Sequence, residues 1–126
     1  MRIDAYTHFI PEKFFAKVVE SNHPGIGKRM RELPAIHDLD VRKKVVDTFK
    51  DYAQILSHGM PPLEVLAKGQ QVEEYAKLLN DGFAEICAKD SDRFPGWVAQ
   101  SALGAPDVGV REIKRAIGNG AIGAQI

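Results

Sequence analysis

Short apolar segments alternate with longer amphipathic ones along the whole chain, and this alternation most constrains the fold. The short segments predict strands at about Arg2 to His8, Ala53 to Ser57 and Gly96 to Gln100, and a fourth in the closing AIGAQI. Parallel strands need a long connection, usually a helix, whereas antiparallel strands can be joined by a tight turn. The alternation therefore predicts an α/β protein with a parallel sheet and helical crossovers.

The segments between the strands carry the helical patterns. Amphipathic periodicity predicts crossover helices over about 38–51, 72–89 and 107–117. Asp38 or Asp40 is the expected N-cap of the first, and Asp107 that of the last. The side chains expected to face the core are Val41, Val45 and Phe49 in the first helix and Val110, Ile113 and Ile117 in the last. The stretch SNHPGIGKRMRELP, rich in glycine, proline and basic residues, predicts a long loop.

The length of the chain decides how this pattern is interpreted. Four strands with three main crossovers are half of a (β/α)8 TIM barrel, which typically needs ~250 residues, and the chain has 126. A four-stranded parallel sheet alone would leave two open edges and an uncovered inner face. We therefore predict that residues 1–126 form one partial domain, the N-terminal half of a barrel. The alternative is a small doubly wound fold that is complete at this length.

Composition narrows the classes of partner. The 17 basic and 17 acidic residues give no net charge, so no electrostatic footprint for nucleic acid or an anionic membrane is visible. No run approaches the ~18 apolar residues of a membrane span, and the N-terminus lacks a signal-peptide pattern. The single Cys87 excludes an internal disulfide. We therefore expect a cytoplasmic protein that binds neither nucleic acid nor membranes.

Polar side chains in and after the first strand are the candidate site. Ligands bind at the carboxyl ends of parallel strands. This rule selects Tyr6 and His8 at the end of the first strand, Ser57 and His58 after the second, Gln100 and Ser101 after the third, and Gln125 near the end of the fourth. Alternation predicts that Asp4, Tyr6 and His8 share one face, with Tyr6 and His8 pointing into the barrel. Neutral imidazole is a common metal ligand. A lone histidine at this place is equally compatible with a structural, hydrogen-bonded residue.

Four stretches of the chain resemble a known family, in order and in spacing. They are IDAYTHFIPEKF, DLDVRKKVVDTFKDYAQILS, NDGFAEICAKDSDRFPGWVAQ and REIKRAIGNGAIGAQI. Together they resemble the amidohydrolase-related (amidohydrolase 2) family, the group that contains aminocarboxymuconate-semialdehyde and gamma-resorcylate decarboxylases. Members typically begin with Ile-Asp-x-His-x-His. In this chain Tyr6 stands at the first histidine of that pair and His8 at the second.

The resemblance implies a (β/α)8 barrel with one divalent metal, zinc or manganese, and mostly nonoxidative decarboxylation of an unsaturated or aromatic carboxylic acid. It implies that His8 is a metal ligand and Tyr6 a ligand or a substrate contact, or that Tyr6 marks a lost metal site. Members of the family have an arginine that binds the substrate carboxylate in the region after the first strand. The resemblance implies that Arg29 or Arg31 in the predicted loop has this role and that His58 shapes the pocket.

The remaining ligands and the catalytic residues of the family come from later strands, so the resemblance assigns no catalytic residue here. The remaining half of the barrel is then an expected partner, and we expect a homo-oligomer. Two alternatives stay open: metal-dependent hydrolysis of a lactone or an amide, and a non-catalytic half-barrel.

Overall fold

A computed structural model of the chain describes residues 1–21, 23 and 26–126. The strands are β1 (Arg2–His8), β2 (Tyr52–Ser57), β3 (Gly96–Gln100) and β4 (Gly123–Gln125). The helices are α1 (Glu12–Glu20), α2 (Ile26–Arg31), α3 (Leu39–Asp47), α4 (Leu63–Leu66), α5 (Gln70–Lys89) and α6 (Pro106–Gly118), with a 3₁₀ helix at Pro34–Ile36. None of the described helices is both long and apolar enough to cross a membrane.

The strands lie in chain order, β1-β2-β3-β4, and each pair of neighbours is parallel. This confirms the predicted parallel sheet with helical crossovers. A doubly wound sheet would reverse its strand order at a switch point, and no reversal occurs among these four strands. The winding is therefore that of a barrel.

The core lies between the sheet and the helices. α3 packs on β2, while α5 and α6 pack on β3. From the sheet, Leu56 and Trp97 enter the apolar cluster, where they meet Phe14 of α1 and Phe83 of α5. The rings of Phe83 and Trp97 lie 6.3 Å apart. This continuous apolar layer holds the carboxyl ends of the strands in fixed positions.

The segment after α1 is not the long loop that its composition predicts. Ile26–Arg31 forms α2 and Pro34–Ile36 forms the 3₁₀ helix. Lysine, arginine and methionine are good helix formers, and the buried Met30 anchors α2 to the core. Part of the expected loop, at Asn22, Pro24 and Gly25, lies outside the described residues.

The core-facing side of α3 also differs from the prediction. Asp38 is the N-cap, accepting from the backbone N–H groups of residues 40 and 41. Val46 is the buried side chain, whereas Val45 and Phe49 are exposed. Arg42 donates to the carbonyl oxygen of His8, and residues 42 and 46 lie one turn apart on the same side of a helix. This bond to β1 sets the rotation of the helix and brings Val46 inward.

The core-facing side of α6 is turned by one residue, about 100°, from the predicted side, and Ile113 is half-buried. Val110 and Ile117 are exposed, and the helix buries Gly109, Glu112 and Ala116 instead. A Cβ built on Gly109 would lie 2.8 Å from the Ser101 hydroxyl oxygen and 3.0 Å from the Ala102 carbonyl oxygen, so glycine allows this close approach to the end of β3. Asp107 is not the cap either, because Ala105 holds the N-cap position and Pro106 begins the helix.

Candidate active site

His8 lies at the carboxyl end of β1 and is held by the end of β2. It pairs in register with Ser57, and its Nδ1 lies 3.1 Å from Ser57 Oγ. The same hydroxyl donates to the carbonyl oxygen of Thr7 at 2.9 Å. Ser57 is buried and His8 is half-buried, so the imidazole is fixed on one side and open on the other.

The chain after β2 passes directly against the imidazole. A Cβ built on Gly59 would lie 2.7 Å from His8 Cγ and 2.8 Å from Cδ2. These separations are far inside van der Waals contact, so a glycine is required here for packing. The turn that contains Gly59 therefore closes on the ring of His8.

Arg42 of α3 supports the backbone of His8 from the outer side of β1. Its Nη2 donates to the His8 carbonyl oxygen, and its guanidinium lies 5.8 Å from the centre of the Phe9 ring. Burial lowers the pKa of Arg42, and Tyr52 and Asp4 partly offset that shift. The sequence analysis missed this residue, since nothing local to it signals a partner 34 positions away.

The ring of Tyr6 stands beside that of His8. The two ring centres are 4.8 Å apart in an edge-on arrangement, and Tyr6 is 80% exposed. Its phenol is therefore available to solvent or to a ligand next to the imidazole. The structure thus brings together the two candidate metal-binding residues of the sequence analysis.

Asp4 does not share the face of His8, contrary to the predicted alternation. The register of β1 against β2 shifts between Asp4 and Thr7, which is the signature of an extra residue in β1. Asp4 pairs with Gln54 and His8 with Ser57, and these two partners are an odd number of residues apart, on opposite faces of β2. The Asp4 carboxylate accepts from the Tyr52 hydroxyl at 2.9 Å.

His58 is placed differently from the expectation that it shapes the pocket mouth. Its side chain is 1% exposed, and its ring lies edge-on to Phe14 at 5.3 Å. Nε2 is 2.7 Å from the carbonyl oxygen of Pro61 and donates to it, while Nδ1 has no hydrogen-bond partner among the described residues. Burial lowers the pKa of His58. In this position His58 fixes the turn after β2 and packs under α1.

Arg29 and Arg31, the candidates for the carboxylate clamp, lie on α2 rather than in a loop. Both side chains are exposed. Residues two apart on a helix point about 200° away from each other. Only one of the two arginines can therefore face a given ligand.

The described residues do not by themselves form a metal site. Across residues 1–21, 23 and 26–126, no three His, Cys, Asp or Glu side chains converge on one point. The imidazole of His8 fits a metal ligand, because one nitrogen is already bonded to Ser57 and the other stays free of that contact. Tyr6 adds an exposed oxygen next to it.

Curated proteins with partial sequence similarity to this chain include decarboxylases. No family model matches the chain. Over 78 residues it is 35% identical to a gamma-resorcylate decarboxylase of Rhodococcus jostii (strain RHA1), covering 62% of this chain and 23% of that protein. The chain resembles part of a gamma-resorcylate decarboxylase. This confirms the family resemblance found in the sequence, and the chain spans about a quarter of the length of that relative.

Solved decarboxylase structures match nearly the whole chain. A 2,6-dihydroxybenzoate decarboxylase complexed with 2,6-dihydroxybenzoate matches with a TM-score of 0.73 and 31% identity, covering 98% of this chain and 37% of that one. A dihydroxybenzoic acid decarboxylase from Polaromonas sp. JS666, with bound manganese and the inhibitor 2-nitroresorcinol, gives a TM-score of 0.76 at 27% identity with the same coverage. These matches confirm the predicted half of a TIM barrel.

Proposed function

We propose that the protein containing this chain is a metal-dependent, nonoxidative decarboxylase of an aromatic carboxylic acid of the dihydroxybenzoate class. The observation that carries the proposal is the match of almost the entire half-barrel to dihydroxybenzoate decarboxylases, with His8 held at the end of β1 where such barrels bind ligands. The decarboxylases among the relatives favour this reaction over hydrolysis of a lactone or an amide.

His8 would bind the divalent metal through an imidazole nitrogen, with the remaining ligands supplied from outside this chain. Manganese in a related decarboxylase supports the metal class, and zinc stays an alternative. A bound divalent metal supplies Lewis-acid polarisation of substrate oxygens. The chain's own part is to orient the imidazole through Ser57 and Gly59 and to present Tyr6 beside it.

Tyr6 would contact the substrate rather than the metal. A phenol binds a metal only after losing its proton, whereas the neutral hydroxyl can donate a hydrogen bond directly. Its exposed position beside the ring of His8 suits a donor to a substrate carboxylate or hydroxyl. Replacing Tyr6 with the histidine typical of the family separates the roles: we expect Tyr6→His to bind manganese more tightly and to raise KM. Unchanged metal affinity and KM would count against this role.

One arginine of α2 would bind the substrate carboxylate. A guanidinium pairs with a carboxylate through two parallel hydrogen bonds. Because Arg29 and Arg31 point in different directions on α2, we expect one of Arg29→Ala and Arg31→Ala to raise KM by about 10-fold or more, while the other serves as its matched control. Equal KM values for both variants and the wild type would refute the clamp.

The rest of the barrel would cover the open side of α6 and β4. Val110, Ile117 and Ile122 are apolar and exposed there, and the chain covers only 37% of the solved relatives. Further β/α units of the same polypeptide are the proposed cover. The expected homo-oligomer and the cytoplasmic location remain predictions. Light scattering tests the first, and cell fractionation tests the second.

A substrate panel tests the proposed activity. The intact protein, loaded with Mn²⁺ or Zn²⁺, is given 2,6-dihydroxybenzoate, an aryl lactone and an aryl amide, and carbon dioxide and hydrolysis products are measured separately. We expect carbon dioxide and resorcinol from the first compound. Hydrolysis products alone would support the hydrolase alternative, and no turnover with either metal would support a non-catalytic barrel.

A further inference from the structure

The hydrogen bonds of the Ser57 hydroxyl indicate which ring nitrogen of neutral His8 holds the proton. A hydroxyl has one hydrogen to donate, and a carbonyl oxygen can only accept. Ser57 Oγ is 2.9 Å from the Thr7 carbonyl oxygen, so its hydrogen is used there. The same Oγ is 3.1 Å from His8 Nδ1 and can meet that nitrogen only as an acceptor.

We propose that Ser57 and Gly59 hold neutral His8 in a single tautomer, with the proton on Nδ1 and the lone pair on Nε2. Because Nδ1–H donates to Ser57, Nε2 is the ring's only acceptor. Ser57 is buried, so solvent does not readily take over its bonds. Ser57 is then a positioning residue for His8.

Gly59 fixes the plane of the His8 ring, whose Nδ1–H donates to Ser57. The backbone of Gly59 lies against the Cγ–Cδ2 edge of His8, where a Cβ would approach within 2.8 Å. A side chain there would displace the ring and lengthen the bond from Nδ1 to Ser57. Gly59 and Ser57 thus both fix the orientation of the His8 ring.

The consequence for a metal rests on the proposed function, whereas the tautomer does not. A histidine ligand commonly donates its second nitrogen's proton to a neighbouring group, and removal of such a partner typically lowers metal affinity about 10–100-fold. Here the partner is a serine hydroxyl that is itself locked by a backbone carbonyl. The nitrogen available to the metal, or to a substrate proton, is Nε2.

The tautomer is measured by nitrogen NMR of the intact, metal-free protein labelled with [15N]histidine at a pH where the ring is neutral. The signals of His8 are assigned by their loss in His8→Gln. We expect a protonated Nδ1 and an unprotonated Nε2 in the wild type, a shift toward the Nε2–H tautomer in Ser57→Ala, and retention in Ser57→Thr. An Nε2–H tautomer in the wild type would overturn the proposal, and so would an unchanged tautomer in Ser57→Ala.

Thr7→Val is the matched control for the loss of a buried hydroxyl. Thr7 Oγ1 also donates to a backbone carbonyl between β1 and β2, that of Ile55 at 2.7 Å, but it makes no bond to His8. In calorimetric titration of the apoprotein with Mn²⁺, we expect about 10–100-fold weaker binding for Ser57→Ala and unchanged binding for Thr7→Val. Equal losses in both would contradict a positioning role. Failure of the decarboxylase assay would leave the tautomer measurement unaffected, so the two proposals can fail separately.

Discussion

At the scale of single residues, His58 is a buried base whose folded environment opposes its charge. Burial lowers its pKa below the ordinary 6.5, so below that pH the unfolded chain binds the proton more tightly than the folded chain. Its contribution to stability is therefore complete above pH 6.5 and is lost as the pH falls toward the folded-state pKa. His58→Gln keeps a donor for the Pro61 carbonyl and removes this titration.

The difference in unfolding free energy between wild type and His58→Gln isolates that titration. Other groups titrate equally in both proteins, so we expect the difference to shrink from pH 8 to pH 5, measured by urea unfolding at each pH. A difference that stays constant over this range would show that folding does not lower the pKa of His58.

Cys87 is a half-buried ionisable group, and its reactivity follows from its surroundings. Burial raises the pKa of the thiol to about 12, and only the thiolate reacts rapidly with alkylating reagents. We expect iodoacetamide at pH 8 to modify Cys87 about 100-fold more slowly in the native protein than in urea. Peptide mass spectrometry after timed labelling measures both rates, and similar rates would contradict a buried thiol.

The site residues divide by how far away their partners lie in the chain. His8 could be selected from the sequence because the rule about strand ends depends only on its own strand. The same rule selects Ser57 at the end of β2. Gly59 follows β2 and Arg42 lies on α3, and the contacts of all three residues with His8 exist only after folding. The extra residue in β1 moves Asp4 to the other face, and no local signal announces it.

At the scale of elements, the contact between α5 and α1 depends on one glycine. A Cβ on Gly82 would lie 2.5 Å from the Cβ of Pro11, and the rigid proline ring cannot move aside. We expect Gly82→Ala to lower the unfolding free energy by about 1–3 kcal/mol.

Gly118→Ala is the matched control for Gly82→Ala. Gly118 ends α6, and a Cβ there meets nothing within 4 Å, so we expect a gain of about 0.5–1 kcal/mol. Urea unfolding of both variants measures the contrast. A gain in both variants would mean that helix propensity, rather than the contact with Pro11, decides the outcome.

A buried polar network joins α5, β3 and α6. The amide of Asn80 accepts from the backbone N–H of Gln100 at 2.9 Å and donates to Glu112 at 2.9 Å. Glu112 is 1% exposed and also pairs with Arg115 at 2.7 Å. We expect Asn80→Ala to lower the unfolding free energy by about 3 kcal/mol, because buried groups lose their partners.

Asn119→Ala at the exposed end of α6 is the comparison for Asn80→Ala in the same unfolding experiment, with an expected change within about 0.5 kcal/mol. Similar values for the two asparagines would refute the network's role. The sequence analysis placed α5 and α6 correctly but missed Asn80 and Glu112, because periodicity selects apolar side chains and passes over buried polar ones. The exposed side of α6 was wrong for the same reason.

At the scale of the whole molecule, the order of elements was predictable because it depends on local patterns. β1 and β3 form over the residues expected from the pattern of short apolar segments. The alternation of these segments with helices was sufficient to predict a barrel-type sheet. The side of each helix that faces the sheet could not be predicted, because it depends on contacts such as Arg42 with His8 and Gly109 with Ser101. Half of a barrel likewise shows only part of a site.

The most direct test of the central claim follows the carboxyl carbon of 2,6-dihydroxybenzoate. The intact, manganese-loaded protein is incubated with substrate labelled with 13C in the carboxyl group, and labelled carbon dioxide is measured for wild type and His8→Gln. The control is His37→Gln, at a histidine that follows the 3₁₀ helix and stacks its ring on that of Phe15. We predict that the wild type and His37→Gln release labelled carbon dioxide and that the rate falls about 100-fold or more in His8→Gln. Loss of a metal ligand has a larger effect than loss of a residue that only hydrogen-bonds to that ligand. No labelled carbon dioxide from the wild type, or full activity in His8→Gln, would contradict the proposed decarboxylase site.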